Sequence, residues 1–119
     1  MKPTSKKYLF DIKIACDEIA EFVAGKSQDD YLANTLLRRG VERDLEIIGE
    51  AVSQLRSSDS DTAQLIPNLG QMAGMRHRLI HAYAQVNDDI VWDTARHDIP
   101  KLRDVVAVLL ESPDPEADS

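Results

Sequence analysis

Leu37-Arg38-Arg39-Gly40-Val41-Glu42-Arg43-Asp44-Leu45-Glu46-Ile47-Ile48-Gly49-Glu50-Ala51-Val52-Ser53-Gln54-Leu55 carries apolar residues at 37, 41, 45, 48, 52 and 55, spaced 4, 4, 3, 4 and 3. This is the 3.6-residue repeat of a helix with one buried face. So long a seam needs partners on its apolar side. The spacing predicts one long helix over residues 28–56. Gly40 and Gly49 interrupt it, each costing about 1 kcal/mol against alanine. A bend near Gly40, or close backbone approach to another helix at Gly49, would account for them. Glu42, Glu46 and Glu50 recur every four residues. Such a line can chelate a metal or pair with cations; a solvated face balanced by Arg39 and Arg43 is the simpler reading.

Partners for that seam lie on both sides. Upstream, Tyr8, Ile12, Ala15, Ile19, Phe22 and Val23 form one stripe of a helix over 4–24. Thr4 or Ser5 can cap its start, and Gly25 can end it. Ser27 with Asp30 three residues on is a loose capping box. Downstream, Ser57 to Asp61 is a polar break and reads as a turn. A third helix follows, from about Asp61 or Pro67 to Ala82, with Pro67 suited to a first turn. Asn87 or Asp88 caps a fourth, whose apolar period runs from Ile90 to Leu109. Pro100 must kink that helix or split it. No segment alternates like a strand, and there is no repeat, Gly-rich phosphate loop or Gly-x-Ser-x-Gly. The expected fold is all-α: an antiparallel up-down bundle of four or five helices. Residues 1–111 read as one domain and 112–119 as an acidic disordered tail.

Composition narrows the function. A net charge of −7 argues against a protein that coats nucleic acid nonspecifically, yet leaves room for a local basic site. No apolar run approaches the roughly 20 residues of a membrane span. Met1 to Ser5 shows no signal-peptide core, so the cytoplasm is the expected compartment. Cys16 is alone, which excludes an intramolecular disulfide and a cysteine-based zinc site. Its spacing from Ile12 and Ile19 suggests a small buried hydrophobe.

Gly74-Met75-Arg76-His77-Arg78-Leu79-Ile80-His81-Ala82-Tyr83 gathers four groups able to handle a phosphate into six residues of this acidic chain. Arg76 and Tyr83 fall on the apolar stripe of Ile66, Leu69, Met72, Leu79 and Ile80. An arginine there is costly unless it is paired or the stripe opens into a cleft. An aliphatic arginine stem can snorkel from a core edge, and a lone histidine is more often packed than catalytic. On an ideal helix His81 lies about 140° around from Arg76. The two converge only if the helix end loosens or a second copy of the site lies across an interface.

The pattern Arg76-x4-His81-x-Tyr83 resembles the signature of HEPN-domain ribonucleases, and most closely the HepT-type toxin of two-gene toxin–antitoxin modules. Leu45-Glu46-Ile47-Ile48-Gly49-Glu50-Ala51 resembles the family's second-helix segment. Asn87 to Trp92 with Ile99-Pro100-Lys101-Leu102 resembles its closing helix, so the likeness covers roughly 8–110. The resemblance implies a metal-independent endoribonuclease with Arg76 and His81 as catalytic pair, working as a homodimer without a cofactor. It further implies an RNA substrate, and a cognate minimal nucleotidyltransferase antitoxin that silences the toxin by attaching AMP to Tyr83. Arg78, His77, Glu46 and Glu50 stand as supporting candidates, the glutamates as partners for Arg76 or Arg78.

Such a pair suits the reaction. An imidazole titrating near 6.5 can take the ribose 2′-hydroxyl proton or protonate the leaving oxygen. A guanidinium matches the extra negative charge of a phosphorane. His77 and His81, four apart, could grip a metal from one helix face, but no third ligand accompanies them. The family pattern carries no catalytic role onto His77. The competing expectation is a non-catalytic bundle that only binds a nucleotidyltransferase; cleavage by the isolated chain separates the two.

Overall fold

The computed structural model describes residues 1–81 and 87–111, with the side chains of 76–81 outside that description. Among the described residues the elements are all helical: α1 (Pro3–Val23), α2 (Gln28–Ala33), α3 (Thr35–Ser58), α4 (Ser60–Ala63), α5 (Leu69–His81), α6 (Asp88–Asp93), a π-helical turn (Thr94–Asp98) and α7 (Ile99–Glu111). The all-α expectation holds. The tail from residue 112 lies outside the described residues.

Helix α3 packs on both α1 and α5, and α1 also packs on α7. The α1–α3 pair is antiparallel: at the start of α1, Lys2 Nζ donates to Ser58 O (3.0 Å) and Ser5 Oγ to Asp59 Oδ2 (2.8 Å). The shared core takes Leu9, Ile12 and Ile19 from α1, Val41, Leu45, Ile48, Val52 and Leu55 from α3, Met72 from α5 and Leu102 and Val106 from α7. Cys16 is fully buried among them, and burial pushes its thiol up to about 12. It is the small inert hydrophobe its spacing suggested.

Local chemistry redraws several boundaries. The expected helix over 28–56 is two helices, because Asn34 adopts an extended backbone (φ −116, ψ 100) and turns its side chain to accept from Leu37 N at 3.0 Å. Asparagine offers the backbone a cap in place of another helical turn. The capping box at Ser27 forms in full, with Asp30 N on Ser27 Oγ (3.1 Å) and Ser27 N on Asp30 Oδ2 (2.9 Å). Neither Thr4 nor Ser5 caps α1. Its N-cap is Lys2, ahead of Pro3, whose missing N–H costs nothing in a first turn, and Ser5 is spent on Asp59. Gly25 ends α1 with φ +69.

The region expected to hold a single third helix contains α4 and then α5. Pro67 stands before α5 rather than in its first turn, and Asn68 enters with φ +56 while its carbonyl accepts from Met72 N (2.9 Å). At Gly40 the helix runs on unbroken. The close approach comes there, where an added Cβ would lie 3.2 Å from the Phe22 ring. Asn87 caps α6 by accepting from Asp89 N and Ile90 N. As expected of Pro100, the last helical stretch is divided, with a π-helical turn between α6 and α7. That wide turn makes room for the proline ring where the carbonyl four residues back would clash.

Candidate functional site

The motif sits on α5, and α3 holds that helix. Ser53 Oγ donates to the Ala73 carbonyl at 3.2 Å, which fixes the register of α5 on α3 one turn before Arg76. Met72, Ala73 and Met75 are buried on the inner side of α5. The backbone is helical through His81. Over five residues an intact helix advances about 7.5 Å and turns about 140°. The side chains of Arg76, His77, Arg78 and His81, and Tyr83 altogether, lie outside the described residues.

The outer surface of α3 and the start of α1 enclose a groove of about 640 Å³. Lys7, Tyr8 and Asp11 form its α1 wall, and Arg43, Glu46, Glu50 and Gln54 come from α3. Both glutamates singled out in the sequence therefore line an open cleft. Arg43 pairs with Glu46 at 3.4 Å and Arg39 with Glu42 at 3.6 Å, while Gln54 Nε2 donates to Glu50 Oε1 at 3.2 Å. The first two pairs are the cation-balanced face anticipated for this line of carboxylates. No group of three His, Cys, Asp or Glu among the described residues is placed to hold a metal ion. The wall from α1 escaped the sequence reading, since helical spacing reveals which residues share a face and not which helix lies across from it.

Asp44 was also missed. It lies on α3 at 4% exposure, and its Oδ2 has no hydrogen-bond partner among the described residues. Burial, reinforced by the nearby charge of Glu18, raises its carboxyl to about 6. A folded-state value above the unfolded 3.8 means that the fold prefers the protonated form. The resulting penalty is fully present well above pH 6 and fades as pH falls toward the unfolded value, amounting to at most about 3 kcal/mol. Asp44→Asn keeps the shape without the charge. Its melting temperature at about pH 7.5 is expected to exceed that of the parent by roughly 5 °C or more, with the gain vanishing near pH 4. A variant that melts lower than the parent at the higher pH would mean the carboxylate makes a favourable contact.

Two clamps tie α6 and α7 to earlier helices. Tyr31 of α2 packs its ring against Trp92 of α6 with centroids 5.3 Å apart, and Arg96 lies over the same indole at 5.5 Å. Burial raises the Tyr31 hydroxyl's pKa, with Glu42 and Asp88 adding to the shift. On the far side, Asp17 of α1 accepts from Lys13 at 2.9 Å and ion-pairs with Arg103 of α7. These partners, Lys13 first, hold its carboxyl below the usual range.

A bundle that is helical throughout its described elements, with Arg76 and His81 of an Arg-x4-His-x-Tyr motif on a helix held by α3, has the features of a HEPN-type protein. The family model described as "Ribonuclease HepT-like" matches residues 12–109, and the chain belongs to that family. It is 38% identical over 108 residues to "Putative RNase TTE0752" of Caldanaerobacter subterraneus, covering 91% of this chain and 96% of the relative. It is 39% identical over 105 residues to "Probable ribonuclease HepT" of Thermococcus cleftensis, covering 87% and 93%. No solved structure matches. Among the described residues no helix is long and apolar enough to cross a membrane.

Proposed function

We propose that this chain is the toxin of a two-gene toxin–antitoxin module and cuts RNA internally without a metal ion. His81 transfers the proton, and Arg76 binds the phosphate and stabilises its developing charge. The observation that carries the reading is family membership together with the Arg76-x4-His81-x-Tyr83 motif, whose arginine and histidine stand on a helix held in register by α3. α5 stays helical through His81, and on an ideal helix positions 76 and 81 are about 140° apart. A homodimer that brings two motifs together supplies the missing convergence. RNA incubated with the purified chain and EDTA should be cleaved; intact RNA would leave only the nucleotidyltransferase-binding role.

Control of the toxin falls to Tyr83. A partner nucleotidyltransferase transfers AMP from ATP to its hydroxyl, with loss of the hydroxyl proton and release of pyrophosphate, which sets phosphate and adenosine next to the motif and offsets the charge of Arg76. Coexpression with a neighbouring nucleotidyltransferase is expected to add the mass of AMP to the peptide containing Tyr83 and to stop cleavage. Silencing with an unmodified Tyr83 would overturn this control.

A further inference from the structure

The outward face of α1 carries a regular stripe of its own. Pro3, Lys7, Phe10, Ile14, Asp17 and Glu21 follow one another at spacings of 4, 3, 4, 3 and 4, the seam of two helices that pack along their length. The stripe lies opposite the buried face of α1, which carries Leu9, Ile12, Cys16 and Ile19. Phe10 is 56% exposed and Ile14 45%, which leaves apolar surface open to water on this outer face.

The charges on this helix run against its own dipole. Lys2, Lys6 and Lys7 crowd the positive N-terminal end, while Asp17, Glu18 and Glu21 crowd the negative end; the first turn holds no acid and the last no base. A lone helix is stabilised by the opposite arrangement. A second α1 laid antiparallel reverses the conflict, because each basic half then faces an acidic half.

We infer that the outer stripe of α1 is a docking surface for a second copy of this chain, related by a two-fold axis at the level of residue 12. In that register Phe10 meets Ile14 of the other copy, Lys7 meets Asp17, and Pro3 meets Glu21. Every layer maps onto its own mirror across the axis, as an isologous contact requires. Lys7 now pairs with Asp11 at 3.1 Å along its own helix, and Asp17 with Lys13 and with Arg103 of α7, so the intermolecular pairs add to existing ones. A face about 31 Å long is small for an interface, so association in the micromolar range, weakened by salt, is the expected strength. The stripe lies on α1 and not on α5, and it shares Lys7 with the groove between α1 and α3.

The register is tested by cysteine cross-linking of the full chain. Phe10→Cys and Ile14→Cys are exposed changes, and the native Cys16 is fully buried. Under mild oxidation an equal mixture of the two variants is expected to form disulfide dimers several-fold faster than either alone, since like residues sit about 6 Å apart along the axis. Lys7→Glu added to both should slow the mixed reaction several-fold. Equal rates for the mixture and the single variants, or rates no higher than for Leu65→Cys at an exposed remote position, would overturn the proposal. The readout needs no RNA cleavage, so it stands or falls apart from the ribonuclease reading.

Discussion

His81→Ala and Arg76→Ala are each expected to lower RNA cleavage in EDTA by roughly 10²- to 10⁴-fold. In the proposed reaction the 2′-hydroxyl is a poor nucleophile until a base takes its proton. An alanine at 81 leaves only water for that task. An alanine at 76 leaves the phosphorane's added charge without paired donors. Arg76→Lys should recover only part of the loss, because an ammonium keeps the charge but cannot match two oxygens at once. Melting temperatures of all three variants must stay near that of the parent for the losses to count as chemical. Full cleavage by both alanine variants would remove the two residues from the mechanism, whatever the family.

Leu45→Ala is expected to destabilise the fold by about 2–5 kcal/mol. Leu45 is fully buried at the middle of α3, the helix that packs on both α1 and α5. Removing its isobutyl group opens a cavity where those layers meet, and the surrounding helices can close it only in part. That cost is a large share of the stability of a domain this size. Urea or thermal unfolding measures it directly. Because Ser53 and the neighbouring core hold α5 in register, cleavage should fall with the folded fraction and not beyond it. A loss under about 1 kcal/mol would mean that the site collapses without strain.

Particular residues show what the chain announces of itself. Leu37 to Leu55 declared a buried seam, and five of its six apolar positions are fully buried, with Leu37 partly so. Ser27 with Asp30, Gly25 and Asn87 declared their caps, since each acts within three or four residues of itself. Caps that depend on distant chain went astray. Ser5 was available to cap α1 until Asp59, far along the sequence, claimed its hydroxyl. Pro100 declared a disruption but not its form, because a wide turn and a kink relieve the same clash.

The candidate site divides the same way. The motif, its family and the helix that carries it were all legible, because spacing along a single helix needs only the sequence. Which helix stands across from it was not. The groove walled by Lys7 and Tyr8, the hold of Ser53 on Ala73, and the penalty at Asp44 arise from packing between segments far apart in the chain. The sequence by itself determined periodic faces, local caps and family. Only the tertiary structure decided which faces meet and which charges lose their water, because those energies depend on neighbours that no local pattern names.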